Sequence, residues 1–397
     1  MQDPVVIVGM ARTPMGGLQG SLSSLTAAQL GAAAVAAAVA AAVARAGVAG
    51  EDIDEALMGC VLPAGQGQAP ARQAVLGAGL PQSAPCSTVN KMCGSGMKAA
   101  MLAHDVLLAG ASRVVLAGGM ESMSNAPYLL AKARAGFRLG HGEIKDHMFL
   151  DGLEDAYQKG ALMGVFAEQC AEHYGFTRAM QDEFAIRSLT RAQDAIRTGR
   201  FASEITPVTL QGRKGEEVVS DDEQPLKANL DKIPQLKPAF KKDGTVTPAN
   251  ASSISDGAAA LVLMRASEAE RRGLTPLARI VGHSSHAQAP AWFTTAPTFA
   301  IEKLLGRIGW SADSVDLYEI NEAFAVVTLA AMHDLKLPAE KVNVHGGACA
   351  LGHPIGASGA RIVVTLLSAL QQYGLRRGVA SLCIGGGEAT ALAIERM

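Results

Sequence analysis

Cysteine and histidine side chains in glycine-rich turns are the groups in this chain best suited to chemistry. Cys93 lies in Asn90–Lys98, where a turn of small residues leads into an apolar helix predicted over Met97–Leu108. The unpaired backbone N–H groups at a helix start carry partial positive charge, which favours the thiolate form of a nearby cysteine. We therefore predict a lowered pKa for a nucleophilic Cys93. The alternative at this point is an ordinary buried cysteine.

Three further groups lie at comparable positions later in the chain. Asn321 follows a predicted strand, His353 lies in a second glycine-rich turn, and Cys383 precedes a run of three glycines. Each of these alone fits a structural role. Four polar or reactive groups at strand ends and helix starts are harder to explain by packing. A cysteine nucleophile needs a base within hydrogen-bond distance, and His353 is the candidate for that base.

The surrounding elements repeat. Strands alternate with helices, which predicts an α/β fold with mostly parallel pairing. Asn90–Ala100 and Gly352–Ala360 are both turns that open buried helices, and Arg113–Gly119 and Val379–Gly387 are both apolar strands that end in glycines. We infer two similar α/β halves. If they pack face to face, the glycine-rich turns of both halves meet in one cleft.

The predicted domains follow from this repeat. Residues 1–120 and 251–273 form the N-terminal half, 121–250 an inserted loop domain, and 274–397 the C-terminal half. The insertion holds half of the charged side chains, with helices predicted over Leu162–Ala171 and Arg178–Arg197. Most of these charges fit a solvated face. Its lysines, Lys227, Lys232, Lys237, Lys241 and Lys242, could also hold phosphate groups.

Composition excludes several classes of function. The net charge of −2 over 397 residues gives no electrostatic reason to expect nucleic acid or an anionic membrane as a partner. No stretch is long and apolar enough to span a bilayer. The six cysteines show no paired spacing, and the chain enters an apolar strand at Val5 without a basic leader. A reducing, cytoplasmic location is therefore predicted.

Four motifs together resemble the thiolases. They are Asn90–Ala99, Asn321–Ala325, Gly346–Arg361 and Cys383–Gly387, and the likeness extends from Val5 to the end of the chain. The resemblance implies a thiolase-like fold, with two α/β halves in a layered αβαβα arrangement and the inserted loop domain over a coenzyme A site. The short-chain members are most similar. They condense two acetyl-CoA to acetoacetyl-CoA plus CoA, or catalyse the reverse thiolysis, by a ping-pong mechanism through an acetyl-cysteine.

The resemblance also implies roles for the catalytic residues. Cys93 would attack the acyl-CoA, and His353 would take the thiol proton. His353 and a water held by Asn321 would form one oxyanion hole, and the backbone N–H groups of Cys93 and Gly385 a second. Cys383 would remove the α-proton of the second acetyl-CoA.

The substrate-binding residues and partners are likewise implied by the resemblance. Substrate-binding positions are Ser252, Phe324, Met163, Leu162, Ile254 and Phe240, with Lys227 and Lys232 near the nucleotide end of CoA. No metal is implied, and no cofactor other than the coenzyme A of the substrate. The expected partners are acetyl-CoA, acetoacetyl-CoA and CoA in a homodimer or homotetramer, without nucleic acid or membrane.

The sequence departs from the family in places, and three alternatives stay open. Short-chain members often carry histidine at the position of Leu162, and His345, Cys349 and Glu388 also differ from common family residues. The chain could be a broader 3-ketoacyl-CoA thiolase of fatty-acid degradation. A ketoacyl synthase would use two histidines with its cysteine, which Cys383 argues against. A thiolase-like protein that binds CoA or lipid without turnover would not need all three catalytic side chains.

Overall fold

The elements are those of a computed structural model, which describes residues 3–44, 50–212 and 215–397. The strands are β1 Val5–Arg12, β2 Gly16–Gly17, β3 Glu55–Gly59, β4 Cys86–Val89, β5 Val114–Ser122, β6 Tyr128–Leu130, β7 Ile144–Asp146, β8 Val208–Gly212, β9 Gly215–Val219, β10 Ser255–Arg265, β11 Ala278–Ala287, β12 Leu317–Ile320, β13 Arg377–Ile384 and β14 Glu388–Arg396. The helices are α1 Ala27–Ala44, α2 Pro70–Gly77, α3 Ser95–Ala109, α4 Met163–Tyr174, α5 Arg178–Arg197, α6 Glu223–Lys227, α7 Ala266–Arg271, α8 Ala296–Ile308, α9 Ala325–Leu335, α10 Ala348–Leu351 and α11 Ile355–Gln372. The sequence, rich in alanine and valine, predicts the first helix over 27–46, and the end of this predicted helix, at Ala46, lies outside the described residues.

One large sheet carries both halves. Its strand order is β12–β13–β14–β11–β1–β10–β5–β3–β4, with β2 paired to β10. Read outward from the junction of β1 and β11, each half begins with its first strand and then its last strand. The inner strands follow, which are β5, β3 and β4 in the first half and β13 and β12 in the second. The strand order thus recurs, as the repeated motifs predicted. The two halves are joined in the sheet only by the pairs Val6 with Arg279 and Ile7 with Ala278.

The predicted parallel pairing is largely wrong. Only β3 with β4, β3 with β5, and β12 with β13 are parallel, and the other ladders of this sheet are antiparallel. One reason is the short turn Gly385–Gly387, because a tight turn can join only antiparallel neighbours. Beside β12, the Asn343 side chain accepts from the N–H of Ile320 at 2.8 Å and donates to its carbonyl at 2.8 Å, so a side chain pairs with the strand backbone there.

Helices cover the sheet in layers. Helices α1 and α2 pack on the first half, α8 and α9 on the second, and α3 and α11 lie together between the halves. The two central helices touch through backbone, since a Cβ on Gly359 would lie 2.4 Å from the Met97 nitrogen. Glycine is needed for that approach. The layered α/β fold expected from the sequence is confirmed, although α11 begins at Ile355, within the predicted turn.

The segment between β5 and β10 is more ordered than the sequence indicated. It holds the hairpins β6–β7 and β8–β9 and the helices α4 and α5. The two helices bury apolar faces against the second half. Within the part of the chain that the structure describes, no helix has the length and apolarity needed to cross a membrane.

Candidate active site

Cys93 lies in a tight turn that local hydrogen bonds define. The N–H of Lys91 donates to the Ser95 hydroxyl at 2.9 Å, and the N–H of Ser95 donates to the Met92 carbonyl at 2.9 Å. Met92 adopts a φ of 47°, a left-handed conformation that a non-glycine residue rarely takes. Helix α3 starts at Ser95, so Cys93 precedes both its first residue and the capping Gly94.

The Cys93 sulfur is hydrogen-bonded but not ionised. Burial raises the pKa of the Cys93 thiol to about 11, although the backbone N–H groups of Gly385 and Cys93 hydrogen-bond the sulfur and act to lower it. The predicted lowering of this pKa is therefore wrong. The thiol lies outside the first turn of α3, and loss of solvation outweighs the local N–H groups.

His353 presents a neutral ring to the same space. Its Nδ1 lies 2.6 Å from the Ser358 hydroxyl, which in turn lies 3.0 Å from the Pro354 carbonyl. Both contacts are satisfied if Nδ1–H donates to Ser358 and Ser358 donates to Pro354, which leaves Nε2 as an acceptor. Burial, with the charge of Arg361, lowers the pKa of His353 to about 3. The ring is thus set up as a base.

An apolar cavity of about 360 Å³ joins the reactive groups. Cys93, His353, Cys383 and Gly385 all line it. Cys383 is buried near the end of β13, and burial, followed by the proximity of Cys93, raises the pKa of its thiol well above the usual range. Two thiols and one imidazole, all neutral, therefore face one apolar cavity.

The predicted substrate-binding residues divide into two groups. Six of them line the same cavity: Ser252, Phe324, Met163, Leu162, Ile254 and Phe240. The two predicted lysines do not. Lys227 binds the Glu223 carboxylate, and Lys232 lines a neighbouring cavity of about 240 Å³. Pro248 and Ser253 line both cavities, so the two spaces adjoin.

Asn321 is buried but does not line the cavity. Neither atom of its amide has a hydrogen-bond partner among the described residues. Glu322 fixes the turn, because its carboxylate accepts from the Ser188 hydroxyl at 2.6 Å and the Cys349 N–H at 3.1 Å. A buried amide without a protein partner is costly, so Asn321 is suited to hold a water. The Cys349 thiol in turn donates to the Glu322 carbonyl at 3.6 Å.

Glu121 is a site residue that the sequence analysis missed. Its carboxylate accepts from the N–H groups of Val61 at 2.9 Å, Leu62 at 3.1 Å and Gly356 at 2.9 Å. Burial raises its pKa to about 7 despite these hydrogen bonds. Glu121 thus ties the first half to the start of α11, close to His353. The available signal was a lone acid at the end of an otherwise apolar strand.

An ion pair connects the turn of Cys93 with the turn of Gly385. Lys91, two residues before Cys93, binds the carboxylate of Glu388, three residues after Gly385. Both side chains are half-buried. The contact explains the unexpected charge of Glu388, since it holds the turn bearing Cys93 against the turn whose N–H reaches the Cys93 sulfur.

Comparison with models of protein families shows to which family this chain belongs. Residues 5–267 match the thiolase N-terminal domain and residues 274–396 the thiolase C-terminal domain. This chain belongs to the thiolase family. It is an enzyme, and the predicted family is confirmed.

Individual thiolases are similar along their whole length. The chain is 49% identical over 396 residues to a probable acetyl-CoA acetyltransferase of Dictyostelium discoideum, covering 100% of this chain and 94% of that one. It is 52% identical over 394 residues to acetyl-CoA acetyltransferase 2 of Arabidopsis thaliana, covering 98% and 96%. The crystal structure of the Bacillus anthracis acetyl-CoA acetyltransferase superimposes with a TM-score of 0.96 at 44% identity, covering 100% and 99%.

Proposed function

We propose that this thiolase is an acetyl-CoA acetyltransferase, which condenses two acetyl-CoA to acetoacetyl-CoA plus CoA or catalyses the reverse thiolysis. The observation that carries the proposal is the arrangement around the Cys93 sulfur. Two backbone N–H groups hydrogen-bond it, and a neutral imidazole and a second cysteine share its cavity. The names of the relatives support the substrate.

The first half-reaction transfers an acetyl group to Cys93. The Cys93 proton passes to Nε2 of His353, and the sulfur forms a bond to the thioester carbonyl carbon. The N–H groups of Cys93 and Gly385, which hydrogen-bond this sulfur, stabilise the carbonyl oxygen as it becomes negative. The bond to CoA then breaks, and the departing sulfur takes the proton of Cys383. The products are CoA, acetyl-Cys93, an imidazolium and the Cys383 thiolate.

The second half-reaction makes the carbon–carbon bond. The Cys383 thiolate removes a proton from the methyl group of a second acetyl-CoA. The enolate oxygen accepts from the His353 imidazolium and from a water that Asn321 holds. The enolate carbon bonds to the carbonyl carbon of acetyl-Cys93, the bond to Cys93 breaks, and its sulfur takes the proton of His353. All three groups return to the neutral state, so the ping-pong cycle closes.

Three further expectations accompany this function. We propose that the reaction uses CoA as part of its substrate and no other cofactor, because two thiols and an imidazole supply the nucleophile and the proton transfers. All six cysteines are free, which supports a reducing cytoplasmic location. The proposed acyl-CoA substrates support a role in acyl-CoA and lipid metabolism. Exposed apolar side chains on the β6–β7 hairpin, among them Tyr128, Leu130 and Ile144, support a homodimer or homotetramer. Light scattering distinguishes these assemblies from a monomer.

Mapping the acetyl group tests the proposal. The enzyme is incubated with radiolabelled acetyl-CoA, digested, and analysed by mass spectrometry. We expect one acetyl group per chain on Cys93 and none in a Cys93→Ser variant. Acetylation of Cys60, Cys86 or Cys170 with Cys93 unmodified would remove the basis of the mechanism.

A broader 3-ketoacyl-CoA thiolase is the second candidate. The observation in its favour is Leu162, an apolar side chain that lines the cavity. A short acyl pocket predicts a clear preference for acetoacetyl-CoA over 3-ketoacyl-CoA substrates of six or more carbons. Thiolysis rates across a series from four to ten carbons decide the matter, and equal rates at four and ten carbons would favour the second candidate.

A further inference from the structure

A cluster of two histidines and an aspartate lies away from the catalytic cavity. Within the described residues, it is the one group of three or more such side chains whose ligand atoms lie within 4.8 Å of one another. His104 and Asp105 belong to α3, and His283 belongs to β11. None of the three lines the cavity that holds Cys93.

The distances in this cluster suit a small ion. Asp105 Oδ1 lies 3.3 Å from Nδ1 of His104 and 2.9 Å from Nε2 of His283. Ligand bonds of about 2.0–2.1 Å in a tetrahedron put neighbouring ligand atoms about 3.3 Å apart. The two imidazole rings are nearly perpendicular, with centroids 5.0 Å apart, and the ligand atoms of all three side chains lie within 4.8 Å of one another.

The charges around the cluster bear on cation binding. Asp105 places a carboxylate oxygen within contact distance of both imidazole rings. Lys98 contributes a positive charge nearby. This charge opposes a cation, which makes direct coordination, rather than long-range attraction, the source of binding.

We propose that His104, Asp105 and His283 form a binding site for a divalent transition-metal ion of the zinc class. Two imidazoles and one carboxylate are ligands typical of Zn²⁺, whereas Mg²⁺ and Ca²⁺ prefer oxygen ligands throughout. The rings are largely buried while Asp105 is half exposed, so solvent can supply the fourth ligand.

The site joins a helix of the N-terminal half to a strand of the C-terminal half, in addition to the packing of α3 against α11. Helix α3 belongs to the N-terminal half and follows the turn of Cys93, whereas β11 opens the C-terminal half. The sheet joins these halves through only two residue pairs. An ion bound by both elements stabilises the folded state by mass action, because the unfolded chain does not hold the three ligands together. The role is structural, separate from acyl transfer.

Metal titration of the whole protein tests the site. The enzyme is stripped with a chelator, and Zn²⁺ is added while binding is followed by calorimetry and the melting temperature by circular dichroism. We expect one Zn²⁺ per chain and a rise in melting temperature. Asp105→Asn and His283→Gln should weaken Zn²⁺ binding at least tenfold and lose the rise in melting temperature.

A neighbouring histidine provides the matched control. His286 lies on the same strand, contacts Gln288 and Phe299, and is not part of the cluster. His286→Gln should bind Zn²⁺ as the parent does. Asp105→Asn changes a half-exposed side chain without altering its shape, so its fold is expected to survive even if His283→Gln misfolds. Unchanged affinity in Asp105→Asn, or no rise in melting temperature with Zn²⁺ in the parent, would overturn the proposal.

Discussion

Replacing Cys383 with alanine should separate the two half-reactions. The substitution removes one buried sulfur and leaves Cys93, His353 and the N–H of Gly385 in place. A cavity of this size costs stability on the order of 1 kcal/mol, which a folded enzyme tolerates. A general acid–base group contributes about 10²–10⁴-fold to its own step. Condensation and exchange of the α-protons of acetyl-CoA should therefore fall by that factor.

Acetyl transfer to Cys93 should fall much less, by under about tenfold, because a CoA thiolate can leave and be protonated by solvent. Two assays distinguish the steps: single-turnover acetylation with labelled acetyl-CoA, and loss of the methyl proton signal of acetyl-CoA in deuterated water. Cys170→Ala is the matched control, since Cys170 is buried in the same apolar cluster as Cys383 but does not line the cavity. Condensation near the parent rate in Cys383→Ala would show that Cys383 only packs, and His353 would become the candidate base.

Three other predictions concern charge. The rate of Cys93 acetylation by S-acetylpantetheine, which has no phosphate to titrate, should stay flat from pH 8 to pH 5 because the pKa of His353 is about 3; a fall centred near pH 6.5 would contradict this. Glu388→Gln should slow acetylation about two- to fivefold, as expected for a half-exposed ion pair, and the exchange of charges in Lys91→Glu with Glu388→Lys should restore it; an unchanged rate in Glu388→Gln would remove the positioning role. Burial lowers the pKa of His345 to about 4, so the unfolded chain binds a proton at His345 at a higher pH than the folded chain does. The folded state therefore loses stability as the pH falls from about 6.5 to about 4. Urea denaturation at pH 7 and pH 4.5 should show a smaller loss in His345→Asn than in the parent, and equal losses would count against that assignment.

The sequence predicts which reactive side chains share a cleft, but it does not predict their ionisation or the buried groups around them. Cys93, His353 and Cys383 could be assigned to one cleft because the repeated motifs put each at a turn, and two like halves bring those turns together. The ionisation of Cys93 could not be predicted, because burial depends on how both halves pack. Glu121 was missed for the same reason, since its hydrogen-bond partners lie 59 to 235 residues away.

Other errors came from local signals that were present in the sequence. Glu223 lies four residues before Lys227, a spacing typical of an ion pair on a helix, and the structure places the pair there. Gly356 and Gly359 belong to a stretch that the sequence analysis assigned to a turn, but both lie inside α11. They are glycines because the helix approaches other backbone closely at these positions.

The neutral resting site has a consequence for the mechanism. With the pKa of Cys93 near 11 and that of His353 near 3, a thiolate–imidazolium pair is strongly disfavoured before substrate binds. Proton transfer must therefore accompany attack on the thioester, so that the charge develops on an oxygen that backbone N–H groups already face. In the proposed cycle, CoA leaves with the proton of Cys383, and the imidazolium and the Cys383 thiolate remain together in one apolar cavity. That pair is what the second acetyl-CoA needs, a base for its methyl group and a charged donor for its enolate. The burial that suppresses a free thiolate thus reserves the reactive pair for the acetylated enzyme.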